Sequence, residues 1–319
     1  MNKRIVITGA FSYTGAAVSQ ELLRRGYSIH SLTNRQPLQK DNAISSAPLR
    51  FERDYLKGEL GGANTFVNTY WVRLPYAGQS FASAVKNSKM LIDAAVSAGV
   101  KRIIQVSVSN AEDGKNLGYY AGKAEVDAYV RQCGIPFTIV RPTFIVGQAD
   151  VLTNNIAWLL RRFPIFLIPG NTSHRLQPIL LDDAAHIIAD AVEYQGNQEV
   201  DAAGPDIMSF AEYVELVANG CNLKRPMIRV PEGLSLGFLQ AIQPLLQDII
   251  LTREELLGLK QELLISHKPP LGKDSVAKWL QVHGDKLGHQ YTNDIYRHFG
   301  QGRTKAILSI DKTGNFSPA

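Results

Sequence analysis

Residues 4–26 read RIVITGAFSYTGAAVSQELLRRG. Ile5-Val6-Ile7 is a short apolar run of the right length for a buried strand, and Thr8-Gly9 ends it. Gly15 sits at the mouth of a helix whose apolar residues Ala16, Val18, Leu22 and Leu23 are spaced for one face. Arg24, Arg25 and Gly26 close that helix, as cations and glycine do at a C-terminus. A glycine turn feeding a helix start is an anion site, because free backbone N–H groups and the helix dipole point at a phosphate. Gly9 and Gly15 keep the outer spacing of the dinucleotide fingerprint, with Ser12 where its middle glycine would stand. The plain alternative is a tight strand–helix turn with no ligand.

The bulk figures set limits on the rest. The chain has 319 residues, 45% hydrophobic and 20% charged, enough to build a substantial core. Its formal charge of +5 is spread out, in pairs such as Arg24-Arg25 and Arg161-Arg162, so nucleic acid is not indicated. Cys133 and Cys221 form neither a disulfide framework nor zinc spacing, which fits a reducing cytoplasmic location and no metal. No cleavable leader is expected, since Met1–Arg4 runs straight into the first strand. No stretch reads as an integral membrane span. The apolar segments 155–168 and 234–252 read as core or pocket wall, with peripheral membrane contact as the alternative.

Alternation of strands and helices continues through the first half. Strands are expected at Tyr27–Leu32, Leu49–Glu52, Thr65–Val67, Arg102–Val106 and Pro136–Val140, with a helix over Ala82–Ala98 and another from Tyr119 toward Gly134. The fold class is therefore α/β: a Rossmann-type, doubly wound parallel sheet with a smaller, mostly helical C-terminal substrate region. The domain reading is 1–150 for the dinucleotide-binding part, with 176–205 returning to it, then 151–300 for the substrate or partner region, and a tail over 301–319. In the second half, helices are expected over Asn154–Arg162, from Asp182-Asp183 to Glu193 with one of those aspartates as cap, from Ser209 to Ala218, over most of 231–264, and over 274–299.

Several residues carry the chemistry in this reading. The end of the second strand, Thr33-Asn34-Arg35, lacks an acid and offers Arg35, which favours NADP over NAD at the adenosine end. Asp54 reads either as a contact at the adenine edge or as a loop cap. Asn68 ends the fourth strand, followed by Tyr70, Trp71 and Arg73 on the side where such sheets bind ligands. Tyr119 and Lys123 are one helical turn apart, so an ammonium beside the phenol would lower its pKa toward neutrality. Ser109, at a strand end, would hold the substrate oxygen by a hydrogen bond while the coenzyme carries hydride.

GAFSYTG at residues 9–15 with its flanks, Asn87, SVSN at 107–110, YYAGK at 119–123 and IVRPT at 139–143 together resemble an atypical extended short-chain dehydrogenase/reductase. The resemblance spans about the first 215 residues and is nearest to the NAD(P)-dependent epimerase/dehydratase-like branch related to the nucleotide-binding accessory subunit of respiratory complex I. It implies that Gly9, Ser12, Tyr13 and Gly15 embrace the pyrophosphate, that Pro142 and Thr143 lie beside the nicotinamide, and that Asn68 belongs to the coenzyme site. It further implies Tyr119 as acid/base, Lys123 on the ribose, Ser109 (or Ser107) on the substrate oxygen, and Asn87 in a supporting or relay role. The function it implies is an NAD(P)-dependent oxidoreductase for the carbonyl or alcohol of a small apolar substrate. Relatives that keep the coenzyme but not the reaction make a non-catalytic sensor or assembly subunit the alternative, with an oligomer compatible with either.

Overall fold

The computed structural model describes residues 4–36, 43–170, 174–299, 308–310 and 316–318. Six parallel strands come first: β1 (Arg4–Thr8), β2 (Ser28–Leu32), β3 (Ile44–Ala47), β4 (Thr65–Asn68), β5 (Arg102–Val106) and β6 (Phe137–Pro142). A seventh, β7 (Gln198–Ala202), pairs parallel with β6, and the sheet order is β7-β6-β5-β4-β1-β2-β3. The order reverses beside β1, between β2 and β4, which is where ligands lie in sheets of this kind.

Alternation of side chains decides how the sheet is covered. Ile5 and Ile7 point to a core shared with α1 (Tyr13–Arg24) and α6 (Leu181–Glu193), whereas Val6 points to the opposite one. That opposite core holds α2 (Arg53–Leu60), α3 (Phe81–Ser97) and α4 (Gly118–Arg131). Because both faces are covered, the strands read as continuous apolar runs.

A third core gathers the C-terminal half around α5 (Val151–Arg162), α7 (Phe210–Gly220) and α10 (Val276–His283), with Tyr213, Leu160 and Leu280 fully buried. Short strand pairs frame it: Phe144–Val146 with Pro178–Leu180, and Phe166–Pro169 with Met227–Val230, both parallel. The remaining helices are α8 (Glu232–Leu246), α9 (Arg253–Lys260) and α11 (Asp294–Phe299). No helix among the described residues is long and apolar enough to cross a membrane.

Several local expectations are corrected. The third strand is Ile44–Ala47, not Leu49–Glu52. It is an edge strand with only Ile44 buried, so its polar Ser45-Ser46 hid it, and Pro48, lacking an N–H, stops it. The helix expected from Asn154 starts at Val151, capped by Asp150, whose Oδ1 accepts from the Thr153 N–H at 2.7 Å. Neither Asp182 nor Asp183 caps α6, which begins at Leu181; Asp183 instead accepts from the N–H groups of Lys273 and Asp274 at 2.7 and 2.9 Å. The stretch 231–264 breaks at Gln247, which takes a left-handed conformation at the end of α8. The stretch 274–299 divides into α10 and α11 with a loop between them. Of the tail over 301–319, Leu308–Ile310 and Phe316–Pro318 are described and pair antiparallel.

Candidate functional site

The turn after β1 is built by close approach. Gly9 has φ of +71°, a left-handed conformation that glycine adopts without penalty. A Cβ on Gly15 would stand 2.1 Å from the Gly9 carbonyl oxygen, so only glycine lets α1 begin there. Ser12 precedes α1, but its hydroxyl donates back to the Gly9 carbonyl at 2.6 Å and does not cap the helix. The opening N–H groups of α1 are thus not capped by that side chain, the arrangement in which a helix start receives an anion.

One large cavity, about 780 Å³, lies against this turn. Ser12, Tyr13 and Thr14 line it from the start of α1 and Thr69 from the end of β4; Trp71, Ser107, Tyr119, Lys123, Pro142 and Thr143 line it further along the sheet. The rest of its wall is mostly apolar, and most of it comes from the C-terminal half. Of the residues singled out in the sequence, Ser12, Tyr13, Tyr119, Lys123, Pro142 and Thr143 therefore share one cavity, with Gly9 and Gly15 forming the turn behind it.

The others are elsewhere, each for a visible reason. Asn68 is fully buried within the sheet; its Nδ2 donates to Gln105 Oε1 at 2.8 Å and its Oδ1 accepts from the Tyr70 N–H at 3.2 Å. Asn87 Nδ2 donates to the Tyr70 hydroxyl at 3.1 Å, and neither residue lines the cavity. Asp54 is exposed in the first turn of α2, where a carboxylate suits the helix dipole. Ser109 is buried and donates to the Leu263 carbonyl at 2.6 Å, which occupies the hydroxyl expected to hold substrate. Arg35 is not on the cavity wall; burial, and then the charge of Arg297, push its guanidinium down to about 10.

The tyrosine and lysine also differ from the expected pair. Tyr119 packs edge-on to Trp71 and Phe81, with ring centroids 6.1 and 6.0 Å away. Burial, then the nearby Glu255 carboxylate, push its phenol up to about 12, with Arg73 opposing. The phenol is therefore not lowered by Lys123. Lys123 Nζ instead donates to the Val106 carbonyl at 2.9 Å and lies 4.6 Å from the centre of the Trp71 ring. Burial drives its ammonium below the ordinary lysine value, opposed by Asp127 one turn further along α4. Asp127 is itself pushed up by burial; its Oδ2 accepts from Ser107 Oγ at 2.9 Å and Arg141 Nε at 3.3 Å, and its Oδ1 is buried without a partner.

The C-terminal half adds groups that no sequence motif marked. Arg73 donates to Glu255 at 2.7 Å and to Asp294 at 3.0 Å, joining the loop after β4 to α9 and α11 across the cavity wall. Arg297 Nη1 donates to the Ala149 carbonyl at 2.7 Å and lines the same cavity as Tyr13. The Tyr13 hydroxyl is buried with no partner and stands where a Cβ on Gly147 would come within 2.7 Å. Asp150, fully enclosed nearby, is pushed up to about 6 by burial.

Comparisons with known proteins agree with this architecture. Residues 1–159 match the NmrA-like family. A mitochondrial NADH dehydrogenase [ubiquinone] 1 alpha subcomplex subunit 9 from Arabidopsis thaliana is 24% identical over 178 residues, 53% of this chain and 44% of that protein. The matched stretch thus spans less than half the length of that relative. Among solved structures, UDP-N-acetylglucosamine 4-epimerase from Methanobrevibacter ruminantium superposes with a TM-score of 0.60 at 16% identity, covering 72% of this chain and 86% of that one. The Bordetella bronchiseptica enzyme WbmH, solved in complex with NAD+, gives a TM-score of 0.62 at 14% identity, covering 72% and 87%. With residues 1–159 similar to the NmrA-like family, a reversed strand order beside β1 and the Gly9–Gly15 turn, this chain has a Rossmann-type α/β fold like that of the solved epimerases.

Proposed function

We propose that this chain is an NAD(P)H-dependent reductase acting on the carbonyl of a small apolar molecule. The observation that carries the reading is one cavity walled by the start of α1, by Tyr119 and Lys123, and by an apolar lining. The uncapped start of α1 and the glycine-only contact at Gly15 fit a dinucleotide pyrophosphate. No acid stands among Thr33–Gln36 at the end of β2, and Arg35 does, which supports NADP.

When bound, the dinucleotide supplies a hydride. The chain supplies the proton. With its phenol pushed up to about 12, Tyr119 keeps its proton across the neutral range. A protonated phenol can donate to a carbonyl oxygen as that oxygen becomes an alkoxide, which is the stronger base. It cannot take a proton from an alcohol until strongly alkaline pH. The phenol therefore favours reduction over oxidation. Lys123 uses one of its three N–H donors on Val106 and keeps the others for a ribose hydroxyl, while Trp71 holds the ammonium from its open face.

The test is NADPH consumption against a panel of apolar aldehydes and ketones. Tyr119→Phe is expected to lower turnover by about 10²–10⁴-fold and to leave NADPH affinity within about twofold. Unchanged turnover against every active substrate would overturn the reading.

A second reading is a dinucleotide-binding subunit that does no chemistry. The Ser109–Leu263 bond favours it, because that hydroxyl is taken, and so does the likeness to an NADH dehydrogenase subunit. Tight NADPH binding with no turnover across the panel would decide for it.

A further inference from the structure

The C-terminal part of the cavity differs in chemistry from the part beside the sheet. Its wall is formed by α5, the strand Phe166–Pro169, α8 and α9, through Leu159, Phe166, Phe238, Leu239, Leu256 and Leu259. The lining residues from 151–169 and from 235–239 include no charged side chain. Of the cations elsewhere on the wall, Arg73 pairs with Glu255 and Asp294, Arg297 donates to the Ala149 carbonyl, and Lys123 stands beside Val106 and Trp71 at the sheet end of the cavity. Arg253, exposed at the start of α9, is followed directly by Glu254 and Glu255. A buried diphosphate needs paired cations or it stays in water, and this chamber has none to give.

We propose that the chamber takes the linear hydrocarbon tail of an amphiphile, prenyl or acyl, whose small oxygenated head lies at Tyr119 and Lys123, and that it does not take a nucleotide sugar. The proposal rests on the reductase reading for the head and on the lining alone for the tail. Burial of each methylene in such a wall favours binding by about fourfold. Access is apolar as well. Ile165 is both exposed and on the wall, and residues 233–247, which span most of α8, contain no charge. An amphiphile entering beside residues 233–247 meets an uncharged stretch of α8.

The experiment is calorimetric titration of the purified chain, with and without NADPH, using octanol, dodecanol and hexadecanol, then geraniol and farnesol, with UDP-glucose as the contrasting probe. Affinity is expected to rise steeply with chain length in either series; the steeper series identifies the tail as acyl or prenyl. Leu239→Arg and Leu259→Arg, both at half-buried positions, are expected to weaken dodecanol or farnesol at least about fiftyfold while NADPH affinity and the melting temperature hold. NADPH binding combined with no length dependence, or UDP-glucose binding tighter than any alcohol, overturns the tail and leaves the reductase reading standing. Alcohols that bind with length dependence to a chain that ignores NADPH overturn the reductase reading and leave the tail standing.

Discussion

Ser109 Oγ donates to the Leu263 carbonyl at 2.6 Å, joining two residues 154 positions apart. The bond fastens the loop after β5 onto the segment after α9. Asn110, in a left-handed conformation, reinforces it by donating Nδ2 to the carbonyls of Leu263 and Ile265 at 3.0 and 2.6 Å. A serine at this point in the sequence reads as a substrate ligand; in the folded chain it is a clasp.

Ser109→Ala therefore acts on stability rather than on turnover. Asn110 still serves the Leu263 carbonyl, so the loss is about 1 kcal/mol of unfolding free energy, with turnover within about threefold. Denaturant melts and steady-state rates on the same preparation check this. A hundredfold loss of turnover at unchanged stability would return Ser109 to the substrate.

Gly15→Ala strikes the turn itself. Its Cβ would lie 2.1 Å from the Gly9 carbonyl oxygen, a backbone atom that cannot swing aside. The start of α1 must move, at a cost of about 2–4 kcal/mol for forced overpacking and backbone shift. NADPH affinity is expected to fall at least tenfold, read by quenching of NADPH fluorescence. Full affinity in a folded variant would mean that the turn does not hold the phosphates.

Asp150 links stability to pH. Burial holds its folded carboxyl up at about 6, whereas the unfolded carboxyl titrates near 4. Between those values the folded chain binds more protons, so stability from this group is present at low pH and is lost as pH rises through the window. Asp150→Asn cannot titrate. Wild-type stability minus that of the variant should fall by about 2 kcal/mol between pH 4 and pH 7 in urea unfolding. A difference independent of pH would show that the carboxyl is not shifted.

Arg73 tests how the C-terminal helices are held to the sheet. Burial pushes the Asp294 carboxyl up, but hydrogen bonds and charge from His298 and Arg73 outweigh it and keep Asp294 below the usual carboxylate range. Arg73→Leu strands Asp294 and Glu255 without that partner and is expected to cost about 3 kcal/mol. Amide exchange should speed up first in Arg253–Lys260 and Asp294–Phe299, the two helices that Arg73 joins to the loop after β4. Uniform exchange across the chain would argue against a local latch.

Residues 4–26 by themselves determined most of the fold. An apolar triplet, a glycine pair at fixed spacing and one amphipathic helix are local features, and their period survives into three dimensions as β1, the turn and α1. The later strands with clear apolar runs, such as Arg102–Val106, were equally legible, while β3 was not, because an edge strand buries too little to leave a pattern. The site divides along the same line. Tyr119 and Lys123 share a helix and a cavity, as their spacing requires, but spacing does not fix where their polar atoms go. Tertiary contacts decided that: Lys123 turned to the Val106 carbonyl and Trp71, Ser109 to Leu263, and the Tyr119 phenol toward the charges of Glu255 and Arg73. Hydrogen bonds and burial between residues far apart in sequence have no period to read, so the chemistry of the pocket became visible only once the C-terminal half was folded against the sheet.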